Sequence, residues 1–344
     1  MEVTGVQYQE ANIVNNRGVK QFVCSWLPAS QEPRALVFMC HGYGMECSVF
    51  MRDNGERLAR AGFAVYGIDY EGHGKSSGKK CYIPSFANLV GDCTSYFMGI
   101  QDREEYKGKP SFLYGESMGG AVALLVSRKE PLRWNGMVLV APMCKIAPKM
   151  RPHPIVITTL SKLASVIPTW KIVPGGDVYD LAFKVKEKRE KIRANKLLYH
   201  GKPRVRTALE MYRASCDLEA RLDEVTLPFL VLHGAADMVT EPSVSEALYK
   251  QATSQDKEFK LYEGLWHGLT AAESDEDVDM VFTDIINWLN ERSSRSSSAN
   301  VSSSSSPIRQ SDLSALETDT KYPKEVDLKG DHDELIQTPA AVVV

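Results

Sequence analysis

The feature that most constrains this chain is a succession of short, unbroken apolar runs separated by helical stretches. The runs are ALVFMC at 35–40, AVYGID at 64–69, SFLYG at 111–115, GMVLVA at 136–141 and PFLVLHG at 228–234, with FKLYEG at 259–264 as one more. A parallel strand is covered on both faces, so it reads as continuously apolar rather than alternating. Helical patterns at 52–61, 85–103, 118–129, 242–251 and 277–290 follow the runs in turn. Strand-helix alternation of this kind predicts an α/β fold with a mostly parallel, doubly wound sheet. KQFVCSWLP at 20–28 is expected to add an antiparallel strand at the N-terminal edge.

The alternation stops between 143 and 226. That segment holds six prolines, the apolar stretch PIVITTLSKLASVIP and the charged stretch KVKEKREKIRANK, and no convincing strand. It is expected to be a helical cap, or lid, inserted after the strand near 136–141. The core then comprises 1–142 and 227–291. Residues 293–306 contain ten serines in fourteen positions. Such a stretch has too little apolar surface to fold, so 292–344 is expected to be a disordered tail.

Several function classes are excluded. The net charge of −3 leaves no basic footprint for nucleic acid. The first eighteen residues lack the charged-then-apolar pattern of a signal peptide. No apolar run approaches the roughly 20 residues of a membrane span. The seven cysteines include no C-x-x-C pair and fit reduced thiols, with Cys40, Cys93 and Cys144 as small buried hydrophobes. A cytoplasmic protein, peripheral to a membrane at most, is the expectation.

The chemistry is concentrated in YGESMGGA, residues 114–121. A strand precedes Ser117 and a helix follows it, the setting of a nucleophile elbow. Gly115, Gly119 and Gly120 are expected to allow the sharp turn through backbone freedom. A serine hydroxyl needs a base, and the base needs an orienting acid, in the chain order serine, acid, histidine. Asp237 lies just past the end of the strand at 228–234. Of the seven histidines only His267 and His332 follow Asp237, and His332 is in the tail. Ser117, Asp237 and His267 are therefore the candidate triad. The candidate oxyanion donors are the N–H groups of Met118, which follows the serine, and Tyr43, in HGYGMECS after the strand at 35–40. The ring of His41 is expected to brace that loop.

HGYGMECS, GFAVYGIDYEGHGKSSG, YGESMGGAVALL, LVAPMCKIA, IPTWKIVPG and LPFLVLHGAADMVT together resemble the monoacylglycerol lipase-like branch of the α/β-hydrolases. Within it the sequence is similar to the plant monoacylglycerol lipase and caffeoylshikimate esterase group, over residues 5 to 291. The resemblance implies an α/β-hydrolase fold, the same triad and oxyanion donors, and a lid at 143–226 carrying the acyl-binding surface. It implies an ester hydrolase without a cofactor. Monoacylglycerol is the leading substrate, a phenolic ester such as caffeoylshikimate the runner-up and lysophospholipid a third option. Trp170 and Trp266 are the candidate substrate-binding residues, since either ring could stack on a substrate.

Other chemistries lack their residues. DYEGHGKS departs from a phosphate-binding loop at its first position and is not followed by a helix start. No histidine has an aspartate five positions later, as an acyltransferase pattern would require. No histidines pair at helical spacing, so no metal site is expected. A ligand receptor that keeps the triad stays open, and turnover separates it from an enzyme.

Overall fold

The computed structural model describes residues 5–146, 151–172 and 177–303, with side chains as far as residue 294. Eight strands form one sheet. They are β1 (Val6–Val14), β2 (Lys20–Pro28), β3 (Ala35–Cys40), β4 (Phe63–Ile68), β5 (Ser111–Glu116), β6 (Gly136–Val140), β7 (Phe229–Gly234) and β8 (Lys257–Tyr262). Their order across the sheet is β1-β2-β4-β3-β5-β6-β7-β8. β2 runs antiparallel to both β1 and β4, and all other pairs are parallel. β3 to β7 are buried along their whole length, as their unbroken apolar sequence requires.

The edge differs from the expectation. β2 is an interior strand, and β1 takes the edge position. β1, VQYQEANIV, is exposed at most positions, so neither alternation nor an apolar run marked it.

Helices cover both faces. α1 (Arg52–Arg60) lies on one face with α9 (Asp275–Ser303), and α2 (Phe86–Gln101), α3 (Met118–Lys129) and α8 (Pro242–Gln251) lie on the other. Their starts follow ordinary capping rules. The Ser85 hydroxyl accepts from Asn88 N–H at the head of α2, Pro242 occupies the first turn of α8, and Ser274 precedes three acidic residues at the head of α9.

Between β6 and β7 the described segments are helical: α4 (Pro154–Val166), α5 (Val178–Ala182), α6 (Lys186–Arg193) and α7 (Val205–Glu219). α7 does not stand apart from the core. Its Met211, Ala214 and Leu218 join the apolar layer of α2 and α3, while Val205, Ala208 and Leu209 carry Ala164 of α4. α9 also runs farther than the sequence predicted. It passes residue 292 to Ser303, and Arg292 and Ser293 are buried. The Arg292 guanidinium lies against Trp288 and pairs with Asp256 and Glu258 beyond it, which anchors a turn that composition alone marks as tail. Residues 304–344, where most of the expected tail falls, lie outside the described residues.

Candidate active site

The loops at the carboxyl ends of the parallel strands carry the predicted triad and Tyr43, where ligands sit in open α/β sheets. β5 delivers Ser117, β7 delivers Asp237, β8 delivers His267, and β3 delivers His41 and Tyr43.

Ser117 has φ 54° and ψ −120°, a conformation that side chains other than glycine rarely adopt. The strain is held by the surroundings. Ser117 N–H donates to Val140 O at 3.0 Å, and its carbonyl accepts from Gly120 and Met143 N–H at 2.9 Å each. The glycines around it serve a different purpose from the one expected. None of Gly115, Gly119 and Gly120 has a positive φ. They supply space. A Cβ on Gly119 would lie 2.5 Å from the Cys40 carbonyl carbon and closer still to its oxygen. One on Gly115 would lie 2.7 Å from the Gly119 carbonyl carbon, and one on Gly120 2.5 Å from Pro142 Cβ. The head of α3 can therefore press against the end of β3, where the second loop begins.

His267 and Asp237 are joined directly: His267 Nδ1 lies 2.7 Å from Asp237 Oδ2. An ionised carboxylate only accepts, so the proton is on Nδ1 and the Nε2 lone pair is free to act as a base. Asp237 is in turn fixed by Val239 N–H at 2.7 Å, Thr240 N–H at 3.0 Å and the Thr240 hydroxyl at 3.0 Å. Burial alone would raise its carboxyl, but the rings of His267 and His233 and their hydrogen bonds hold it well below the usual carboxylate range. It stays ionised throughout the working range of pH. His233, fully buried on β7, has Nε2 within 3.1 Å of Asp237 Oδ2 and 2.9 Å of Thr240 O. Both partners are acceptors, so Nε2 carries the proton and Nδ1 accepts from the Ser245 hydroxyl at 2.7 Å.

Among the described residues the Ser117 hydroxyl makes no hydrogen bond. The fold brings Ser117 to the same end of the sheet as His267 and joins their segments through Glu116, whose Oε1 accepts from the Thr270 hydroxyl at 2.7 Å.

The loop after β3 is braced by His41 against Tyr70, which follows β4. His41 Nδ1–H donates to Gly42 O at 2.8 Å, Nε2 accepts from Tyr70 N–H at 3.2 Å, and the ring stacks on Tyr70 with centroids 3.8 Å apart. The ring braces the loop, as the sequence predicted. A Cβ on Gly42 would touch Ser117 Cβ at 3.5 Å, which places the loop against the elbow. Met45 N–H turns back to Gly42 O, whereas the N–H groups of Tyr43 and Met118 take no part in the turn and loop hydrogen bonds of the described residues. They remain available as donors. The buried Glu46 carboxylate caps the next turn, accepting from the N–H groups of Val49 and Phe50 and from the Ser48 hydroxyl.

The insertion reaches both sides of the site. Tyr199 N–H donates to Gly44 O at 3.0 Å and Asn195 Nδ2 to Glu46 Oε1 at 3.0 Å, both on the β3 loop. On the other side Gly268 N–H, next to His267, donates to Ala182 O at 2.9 Å. Trp266 is half-buried beside His267, and Trp170 is 58% exposed on the insertion. Neither ring stacks on another aromatic residue of the described chain.

Four supporting residues were not singled out from the sequence: His233, Thr240, Glu116 and Thr270. Thr240 had a local signal, three residues after Asp237 in a D-x-x-T turn. The other three act through contacts that form only on folding. Among the described residues no group of three His, Cys, Asp or Glu side chains could hold a metal ion. All seven cysteines are free thiols, and Cys40, Cys93 and Cys144 are buried.

Comparison with known proteins bears on this geometry. Residues 31–275 match the family described as serine aminopeptidase, S33. The chain is 35% identical over 274 residues to a caffeoylshikimate esterase of Arabidopsis thaliana, covering 79% of this chain and 82% of that one. It is 30% identical over 302 residues to a monoglyceride lipase of Homo sapiens, covering 86% and 95% respectively. The solved structure of a soluble variant of monoglyceride lipase from Saccharomyces cerevisiae, in complex with a substrate analog, superposes with a TM-score of 0.73 at 22% identity. That likeness covers 85% of this chain and 97% of that one and shows a shared α/β-hydrolase fold.

Proposed function

This chain belongs to the serine aminopeptidase S33 family of α/β-hydrolases, and we propose that it is a serine carboxylic-ester hydrolase whose leading substrate is monoacylglycerol. Ser117 Oγ attacks the ester carbonyl while His267 Nε2 takes its proton. Asp237 holds the imidazole in the Nδ1–H form and stabilises the cation that results. The N–H groups of Met118 and Tyr43 receive the oxyanion. His267 then protonates the departing glycerol, and water repeats the sequence on the acyl-serine to release the fatty acid. The observation that carries this reading is the 2.7 Å bond between Asp237 and His267, set beside a serine at φ 54°.

The insertion supports a lipid substrate. Ile155, Val156, Val166, Trp170 and Ile172 all lie on it or just past α4 and are about half exposed or more. Such a patch suits docking at a lipid surface, from which a monoacylglycerol would enter. Among the described residues no helix is long and apolar enough to cross a membrane. The second reading, a phenolic ester, is favoured by the 35% identity to the caffeoylshikimate esterase and by Trp266 beside His267.

The test is hydrolysis of 1-monooleoylglycerol and of caffeoylshikimate by the protein and by Ser117→Ala. The expected result is oleate release that drops by about three orders of magnitude or more in the variant. Preference for the phenolic ester would select the second reading with the same triad. A Ser117→Ala protein with near-normal turnover would remove Ser117 from the mechanism.

A further inference from the structure

The carboxylate of Glu116 is buried next to the candidate nucleophile and is held from three directions. Its Oε1 accepts from the Tyr114 hydroxyl at 2.5 Å on the same strand, from Asn54 Nδ2 at 2.7 Å on α1, and from the Thr270 hydroxyl at 2.7 Å, three residues beyond His267. Asn54, Tyr114 and Thr270 are each at most 2% exposed. A buried carboxylate with three donors on one oxygen has one position, because moving it would strand several polar groups away from water.

We propose that Glu116 is a positioning residue: through Thr270 it holds the loop carrying His267 in register with the elbow carrying Ser117. The proposal rests on the reading of Ser117 and His267 as nucleophile and base. One peptide bond separates Glu116 from Ser117, so the strained elbow fixes where the carboxylate sits. The other ties of the His267 loop lead elsewhere. Trp266 N–H donates to Glu273 within the loop, Leu265 O accepts from Ala236 N–H on the Asp237 loop, and Gly268 N–H donates to Ala182 O on the insertion. Among the described residues, Glu116–Thr270 is the hydrogen bond that joins residues 115–120 to residues 263–273. Burial pushes the Glu116 carboxyl upward. The Tyr114 and Thr270 hydroxyls, the nearby His267 ring and Asn54 act against that rise without cancelling it.

The experiment compares Thr270→Val, Thr270→Ser and Glu116→Gln. Two rates are measured: kcat on p-nitrophenyl butyrate, and labelling of Ser117 by an alkyl fluorophosphonate, in which Oγ bonds to phosphorus and fluoride leaves. Thr270→Val keeps the shape and removes the donor. It should lower kcat and the labelling rate roughly 10- to 100-fold, the cost of a displacement of about 1 Å, with KM little changed. Thr270→Ser restores the donor and should restore both rates. Glu116→Gln keeps an oxygen for Thr270 but not the charge that strengthens its hydrogen bonds, so it should lower both rates several-fold, less than Thr270→Val. That smaller loss keeps the test alive if Thr270→Val fails to fold. Original rates in Thr270→Val or in Glu116→Gln, no recovery in Thr270→Ser, or a Glu116→Gln loss as large as that of Thr270→Val would each overturn the proposal. Ser117→Ala run alongside tests the parent reading separately, since labelling that survives in it would overturn the triad whatever Thr270 does.

Discussion

The elbow and the insertion meet at the same end of the sheet and are held in different ways. The elbow is fixed by contact. Gly115, Gly119 and Gly120 let backbone meet backbone with no room for one more carbon, and the strain at Ser117 is shared out among the Val140, Gly120 and Met143 hydrogen bonds. The insertion is fixed by a small apolar patch and a set of hydrogen bonds. Beyond the apolar seat of α7, its Tyr179, Ala182, Phe183 and Leu198 cluster with Val239 and Ala272 of the site loops, and hydrogen bonds run from Asn195 to Glu46, Tyr199 to Gly44, Val185 to Ala272 and Gly268 to Ala182, while apolar side chains of α4 stay in solvent. A reaction centre needs atoms held to within a fraction of an ångström, and close packing supplies that. A proposed lid over the ester needs less precision, because its contribution would be shape and not angle.

The largest expected effect breaks the first half of that comparison. Gly119→Ala places a methyl group inside the Cys40 carbonyl. Neither partner is a flexible side chain, so the head of α3 must leave β3. The protein should lose about 3 kcal/mol or more of stability, together with all activity. Thermal unfolding followed with a phosphonate label would measure both, and a stable, labelled Gly119→Ala protein would refute contact as the fixing force.

A second effect is electrostatic and belongs to the loops under the elbow. Burial pushes His73 down to about 4, and only the Glu71 carbonyl acts against it. Its ring lies among Tyr43, Tyr70 and His41. The folded state thus binds fewer protons than the unfolded chain between about pH 4 and 6.5. The stability that neutral His73 confers is complete above the unfolded value of about 6.5 and is lost as pH falls towards 4. Asp69 works in the other direction. Burial raises it to about 7, against the N–H groups of Lys75 and Cys47, so its contribution declines as pH rises from about 4 to 7. His73→Gln removes only the first of these. The acid-side slope of stability should shrink by up to about 3 kcal/mol over the window, read from urea unfolding at pH 4.5 and 7. An unchanged slope would mean that His73 is not held neutral.

The smallest effect sharpens the second half. Asn195→Ala removes one tether and leaves Glu46 Oε1 with the backbone donors at Val49 and Phe50. Stability should change by about 1 kcal/mol or less. Turnover of a small soluble ester should hold, while KM for a long-chain monoacylglycerol rises. A fall in kcat for both esters would place the insertion in the chemistry itself.

Much of this was legible beforehand, for identifiable reasons. β3 and the helices α3 and α8 coincide with segments read from the sequence, because continuous apolarity and helical periodicity are local properties. Ser117, Asp237 and His267 could be named because each follows a recognisable strand and only one histidine after Asp237 falls before the serine-rich stretch. β1 was missed because an exposed edge strand is under little demand for apolar residues, and of its nine residues only Val6 is buried. The end of α9 was misjudged for a related reason. Its serines look unfoldable by composition, yet Arg292 finds Trp288 and two carboxylates once β8 is in place.

The sequence by itself determined the alternation of strands and helices from β3 onward outside the insertion and the residue types that a serine hydrolase needs, since both depend on neighbours along the chain. Tertiary structure decided the rest. Whether a glycine is wanted for its φ or for its missing carbon depends on what presses against it, and at Gly119 that is a carbonyl from β3. Which carboxylate steadies the histidine loop depends on a bond between residues 154 apart. Burial turns that distant pairing into an obligation, because a carboxylate and a hydroxyl removed from water must satisfy each other or remain unsatisfied.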